Sequence, residues 1–302
     1  MSENSANTML READNKVFIE GVVSEINFEV KEVQGKEAIT GEIVVQTGEN
    51  SVHTVDVFSY RLKKDGTENS VFKGLSTIMN EYKSIAKYGK EEADKVRISG
   101  AKLVVNDYYN PAGELKSIVK MNTNFVNRLK AGEDFNPKAE FEVELFIHKI
   151  NDEIDKKNGD LTGRKIISGL IPIYDGKVVP MEFIVADKEL VTAVDSMYDI
   201  GQTIKVYGDL INTVVTTTKT TAVAIGKPKE TTSTLTTREM IFTGGSEPYA
   251  EDSATVFNLE TIKNAMAVRA EYLEELKSKK SNSNIGGKTA SSTPKSGKAL
   301  PF

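Results

Sequence analysis

Val96-Arg-Ile-Ser-Gly-Ala-Lys-Leu103 is echoed further along the chain by Ile204-Lys-Val-Tyr-Gly-Asp-Leu210. Each stretch alternates apolar and polar residues in the two-residue period of a half-buried strand, and each places a glycine at its middle. Glycine at such a bend permits the sharp coiling of a small closed barrel, where a side chain would crowd the neighbouring strand. A glycine inside a strand also marks an ordinary bulge, so the flanking sequence has to decide between the two.

Working outward, the first echo stands fourth in a series. Val17, Ile19, Gly21 and Val23 alternate, then Ile39, Gly41, Ile43 and Val45, and a third strand runs from Ser51 to Tyr60. Leu75, Ile78, Met79, Tyr82 and Ile85 then recur at spacings of three and four, which predicts a helix over 71–88. Strands resume over 95–105, turn through 106–113 and return over 115–126. After a polar connector at 131–137 the same order starts again, with strands over 140–150, 162–173 and 178–186 and a short helix over 188–198. A fourth strand then starts near Thr203 and a fifth ends near Phe242. Residues 255–277 place Leu259, Ile262, Met266, Leu273 and Leu276 on one stripe of an amphipathic helix, capped by Ser253 or Asn258. That stripe can pack on a barrel or serve self-association.

Five strands with one helix between the third and fourth is the order of the OB-fold, a Greek-key barrel that binds single strands or oligosaccharides. The expected fold is mainly β: two OB-like five-stranded barrels in tandem, a C-terminal amphipathic helix and a disordered basic tail. Its expected boundaries are a disordered N-terminus at 1–15, barrels at 16–130 and 131–245, the helix region at 246–277 and the tail at 278–302. Two β-sandwich-like domains are the alternative, and they leave the helix after Ser70 as an unexplained insertion. On the strand order, the chain resembles tandem-OB single-stranded-DNA-binding proteins, particularly those encoded by bacteriophages. The end Ala299-Leu-Pro-Phe302 also looks like the tip by which bacterial single-stranded-DNA-binding proteins recruit partners. The acidic residues that normally precede that tip are replaced here by Lys295 and Lys298. The resemblance implies single-stranded DNA as ligand, with RNA left open because stacking does not read the 2′-hydroxyl. It also implies recruitment of replication proteins through Leu300, Pro301 and Phe302.

Charge and composition narrow the functional classes. The net charge of −5 conceals a gradient: residues 16–130 carry 17 basic and 16 acidic side chains, 131–245 carry 13 and 18, and 277–302 carry six and none. An acidic body argues against a dedicated duplex binder, which needs a dense basic face, but leaves single-strand binding open because stacking carries part of that affinity. With no cysteine, thiolate sites and disulfides are absent, which fits a reducing cytoplasm. His53 and His148 have no partner at metal-ligand spacing. No cofactor or metal is expected. The start of the chain reads without a basic segment or apolar run, and no apolar stretch is long enough for a membrane span, so a soluble, intracellular protein is expected.

Candidate binding residues follow from aromatics beside cations. Alternation sets Phe58 and Tyr60 opposite Val55 and Val57, and Arg61, Lys63 and Lys64 follow at once. An inverted face would instead bury Phe58. Tyr108 and Tyr109 stand at the hairpin between the fourth and fifth strands, flanked by Lys102 and Lys116. From Asn212 to Thr237, threonine and valine predict a long β-hairpin arm with Lys219, Lys227 and Lys229 about its turn. The arm can clasp nucleic acid or pair with another subunit through its edges. Gly286-Gly-Lys-Thr289 is no phosphate loop, since Asn282 stands where the pattern requires glycine. Asp152, Glu153 and Asp155 lie among Lys156, Lys157, Asn158 and Gly159 and read as a solvated loop, so no enzyme is expected. The competing reading is a non-catalytic scaffold for replication or virion assembly that avoids nucleic acid.

Overall fold

β-Branched and aromatic residues in period-two alternation form eleven strands in the computed structural model, which describes residues 10–221, 225 and 229–285. The first unit contains β1 (Asn15–Val33), β2 (Lys36–Gly48), β3 (Ser51–Tyr60), α1 (Ser70–Glu81), α2 (Ile85–Tyr88), β4 (Lys95–Tyr109), β5 (Leu115–Asn122) and the short β6 (Asn127–Arg128). The second contains β7 (Lys138–Ile154), β8 (Leu161–Ile173), β9 (Lys177–Val185), α3 (Lys188–Met197), β10 (Thr203–Thr221) and β11 (Lys229–Gly245), followed by α4 (Leu259–Ile285). Pairing runs β1-β2-β3-β5-β4 and returns from β4 to β1, and β7-β8-β9-β11-β10 returns from β10 to β7. Among the described strands only the β3–β5 and β9–β11 contacts are parallel. Two closed Greek-key barrels result, each with the OB strand order, and the sandwich alternative falls. No described helix is long and apolar enough to cross a membrane.

The echoed glycines hold for different reasons. Gly100 has φ +102 with open space around it, so it answers a backbone conformation that side chains rarely adopt. At Gly208 a Cβ would lie 1.8 Å from the Ile241 carbonyl oxygen, so there the requirement is close approach of two strands.

The barrels do not hang as beads on a linker. β1 pairs with β7 from Asn15↔Val143 to Glu20↔Lys138, which makes one sheet across the junction. Gly21–Val96, Glu20–Arg97 and Ile19–Ile98 recur as Leu145–Ile204, Glu144–Lys205 and Val143–Val206. Under this equivalence Phe141 is the counterpart of Val17, and the two face each other, so the contact is isologous about a local two-fold axis. The counterparts Glu20 and Glu144 are both buried, at 3% and 5% exposure. Glu20 accepts the backbone N–H of Asn136, just before β7, and Glu144 accepts that of Asp14, just before β1. Arg97 reaches Glu20 at 2.7 Å, and Arg11 reaches Glu144 at 2.8 Å.

Four expected boundaries are corrected by such tertiary contacts. Residues 10–15, expected to be disordered, form a strap: Ala13 is buried and donates its N–H to Pro172. The helix expected over 71–88 breaks at Tyr82–Ser84, because the Lys83 backbone pairs with Asp94 and the Tyr82 hydroxyl donates to the Val126 carbonyl. The strand expected to reach Val126 stops at Asn122. The helix expected to end at Lys277 continues to Ile285, and the rest of the expected tail lies outside the described residues. Within α4, Asn258 supplies the cap, accepting from the N–H of Glu260. Of the expected stripe Leu259 is exposed, while Ile262 is buried and Met266 packs partly buried against the core, joined by Phe257 and Ala265. Arg269 then ties the helix to Asp107 of β4 at 2.8 Å, so α4 bridges second barrel and first.

His53 points into the first barrel, buried, and its Nδ1 has no hydrogen-bond partner among the described residues. Burial pushes its pKa down from 6.5 to about 4. Below pH 6.5 the unfolded chain therefore takes up a proton that the native chain refuses, so stability should fall by about 1.4 kcal/mol per pH unit until about pH 4. Urea unfolding of the wild type and His53→Gln between pH 7 and 5 checks this; an unchanged slope in the variant would assign it to other groups.

Candidate nucleic-acid interface

Alternation in β3 buries Val55, Val57 and Ser59 and turns Thr54, Asp56, Phe58 and Tyr60 outward. Phe58 is 43% exposed, so the core-facing alternative is excluded. Its ring meets Tyr60 edge-on at 4.9 Å, and the Lys36 ammonium sits 5.9 Å from the Tyr60 ring centre. The Tyr60 hydroxyl donates to Gln34 Oε1 at 3.4 Å, which fixes the tyrosine beside the β1–β2 turn. A groove of about 570 Å³ opens next to Phe58, lined among others by Asn27, Gly41, Glu42, Asp56, Lys120 and Asn122.

The β4–β5 ladder extends this face. Lys102 pairs with Asn122, Val104 with Lys120 and Tyr108 with Lys116, and partners in an antiparallel ladder share a face. Asn122 in turn pairs with Asp56 of β3. Phe58, Lys120, Lys102, Lys116 and Tyr108 therefore belong to one curved outer surface. Tyr109 falls on the opposite face of the ladder, half-buried, with Asp107 and Leu115. The cations are largely neutralised: Arg61 by Glu37 at 2.8 Å, Lys102 by Glu12 at 2.7 Å, Lys116 by Glu114 at 3.0 Å and Lys120 by Asp56 at 2.8 Å. Lys63 and Lys64 are exposed in the turn after β3.

The arm is real in the backbone and is anchored unexpectedly. β10 and β11 pair residue for residue from Thr213↔Thr237 to Thr221↔Lys229. Its base docks on the first barrel, where Thr213 pairs with Ser51 and the N–H of Val214 donates to Asn50. Lys219 is exposed on it. Lys227, the Lys229 side chain, Leu300, Pro301 and Phe302 lie outside the described residues.

Several surface groups escaped the sequence reading. Phe125 is 63% exposed and follows Thr123 and Asn124 of the groove wall; reading the strand on to Val126 hid it. Lys120 was readable in principle, since Lys116, Ile118, Lys120 and Asn122 alternate on the same face as Tyr108. Tyr207, 47% exposed, lies over Gly244, where a Cβ would come within 2.5 Å of its ring. It lines a second groove of about 510 Å³ at the local two-fold, together with Phe18, Gly100 and Gly208. Only tertiary pairing assembles that groove. The acidic trio expected in a loop is placed otherwise: Asp152 and Glu153 lie at the end of β7, where they bind Lys165 and Arg164, and only Asp155 stands in the turn, accepting the N–H of Lys157. Among the described residues no cluster of His, Asp and Glu could hold a metal ion.

No curated protein matches the chain. Among solved structures, a deletion variant of the single-stranded-DNA-binding protein from Thermus aquaticus is similar at 10% identity and a TM-score of 0.46, over 80% of this chain and 98% of that one. The match that identifies the chain runs through the strap, both barrels and most of α4, over residues 13–279, and by it the chain belongs to the YorF family.

Proposed function

We propose that the chain binds single-stranded DNA, with little regard to sequence, on the outer face of the first barrel. The observation that carries this reading is the edge-on pair of exposed Phe58 and half-buried Tyr60 on the outer face of an OB strand, continuous with Lys120 and the Tyr108 hairpin. Aromatic faces accept any base, and a lysine freed from its carboxylate by an approaching phosphate adds an electrostatic component. The role is non-catalytic and cytoplasmic, in replication or recombination of phage type, with Leu300-Pro-Phe302 recruiting other replication proteins.

Fluorescence titration of the full chain with single-stranded DNA, single-stranded RNA and duplex DNA at two salt concentrations tests it. Single strands should bind more tightly than duplex, and binding should weaken as salt rises. Equal or absent binding at low salt would overturn the reading. The neutralised cations favour a second one, a scaffold for replication or virion proteins, in which no oligonucleotide binds.

A further inference from the structure

We infer that the groove beside Phe58 discriminates among bases, favouring those that carry an exocyclic amino group over thymine, with Glu42 as the discriminating residue. The inference rests on the nucleic-acid reading above and refines it. Asn27 faces Glu42, Glu42 faces Asp56 and Asp56 faces Asn122 in successive ladders, so four polar side chains form a row across β1, β2, β3 and β5. The neighbouring row is Glu29, Thr40 and Phe58, one pleat repeat away at about 7 Å. Between the rows lies only the backbone of Gly41, whose ladder partner is the buried Val57, so position 41 turns to the barrel side of the sheet. A base stacked on Phe58 thus extends its edge over a floor without side chains toward Glu42.

The hydrogen-bonding character of that row is already divided. Asp56 is taken by Lys120 at 2.8 Å. Asn27, which lines the groove, donates its amide N–H to Glu25 at 3.2 Å, which leaves its Oδ1 as an acceptor. Glu42 has no ion-pair partner among the described residues and, ionised, can only accept. Cytosine, adenine and guanine each offer an amino donor to such a site. Thymine offers two carbonyl acceptors about a single N3–H, and those oxygens are repelled by a carboxylate.

The test is anisotropy titration of the full chain with labelled dC and dT homopolymers of equal length at pH 8, where cytosine is neutral, using wild type and Glu42→Gln. The wild type should bind the dC strand roughly five- to tenfold more tightly, the scale of one base-edge contact. Glu42→Gln should bring that ratio close to one, chiefly by improving dT, because the new amide can donate to a thymine carbonyl. A wild type that binds dT as tightly as dC overturns the inference and leaves single-strand binding standing. So does a variant that strengthens both strands equally, which would mean charge removal alone. Failure to bind either strand overturns both.

Discussion

Replacing Phe58 and Tyr60 together by Ala is expected to weaken single-strand binding by about 2–6 kcal/mol, roughly 30-fold at the lower bound, since each stacked base contributes about 1–3 kcal/mol. Both rings lie on the outer face of β3, and neither belongs to the buried set that includes Val55 and Val57. Their removal should therefore open no core cavity, and the cost to stability should stay near 1 kcal/mol, the scale of the lost edge-on contact. Titration and urea unfolding of the double variant separate the two effects. Undiminished affinity would move the binding face elsewhere, with the Tyr207 groove as the next place to look. A stability loss above about 3 kcal/mol would make the pair structural rather than a stacking platform.

Glu144→Ala should destabilise the protein by about 3–5 kcal/mol, the range for breaking a buried charge pair. The carboxylate gathers the Arg11 guanidinium, the Asp14 N–H and the Tyr249 hydroxyl, the last at 2.6 Å, so its loss strands three donors at the barrel junction. Glu20→Ala should cost less, because Glu20 gathers two donors, the Arg97 guanidinium and the Asn136 N–H, rather than three. Burial would raise the pKa of Glu144, but hydrogen bonds from Arg11, Tyr249 and Asp14 outweigh it, and the native value lies below the ordinary 4.5. Glu20 behaves alike, with Arg97 and the Asn136 N–H overcoming burial. The sign follows: both carboxylates contribute fully above pH 4.5 and lose their contribution as pH falls through the lowered native values. This window lies below the one assigned to His53, so unfolding midpoints at pH 7, 5 and 3.5 resolve the two. A Glu144→Gln variant that keeps both wild-type stability and wild-type acid sensitivity would show that the carboxylate does not hold the junction.

The Tyr249 hydroxyl carries the complementary signature. Burial and its hydrogen bond to Glu144 push its pKa up to about 12, as expected of a phenol that must remain a donor.

The amino-acid sequence by itself determined the strand order, the helix between third and fourth strands in each unit, the arm, and that Phe58 and Tyr60 share the face opposite Val55 and Val57; the structure decided that theirs is the outer face. The former rest on local periodicity: two-residue alternation settles which side chains of β3 share a face, and a three-to-four spacing settles where a helix begins. Only the tertiary structure decided that β4 returns to β1, that β1 also pairs with β7, and that Glu20 and Glu144 meet reciprocal backbone donors across a local two-fold. It also decided the helix break at Tyr82, because Lys83 answers Asp94 rather than its own helix, and the ordering of residues 10–15, whose arginine is claimed by a carboxylate far along the chain. The groove row Asn27, Glu42, Asp56 and Asn122 comes from four separate strands. Hydrogen-bond partners distant in sequence leave no periodic trace, since their pairing is fixed by register and closure of the barrel, and register is a property of the packed sheet rather than of any one strand.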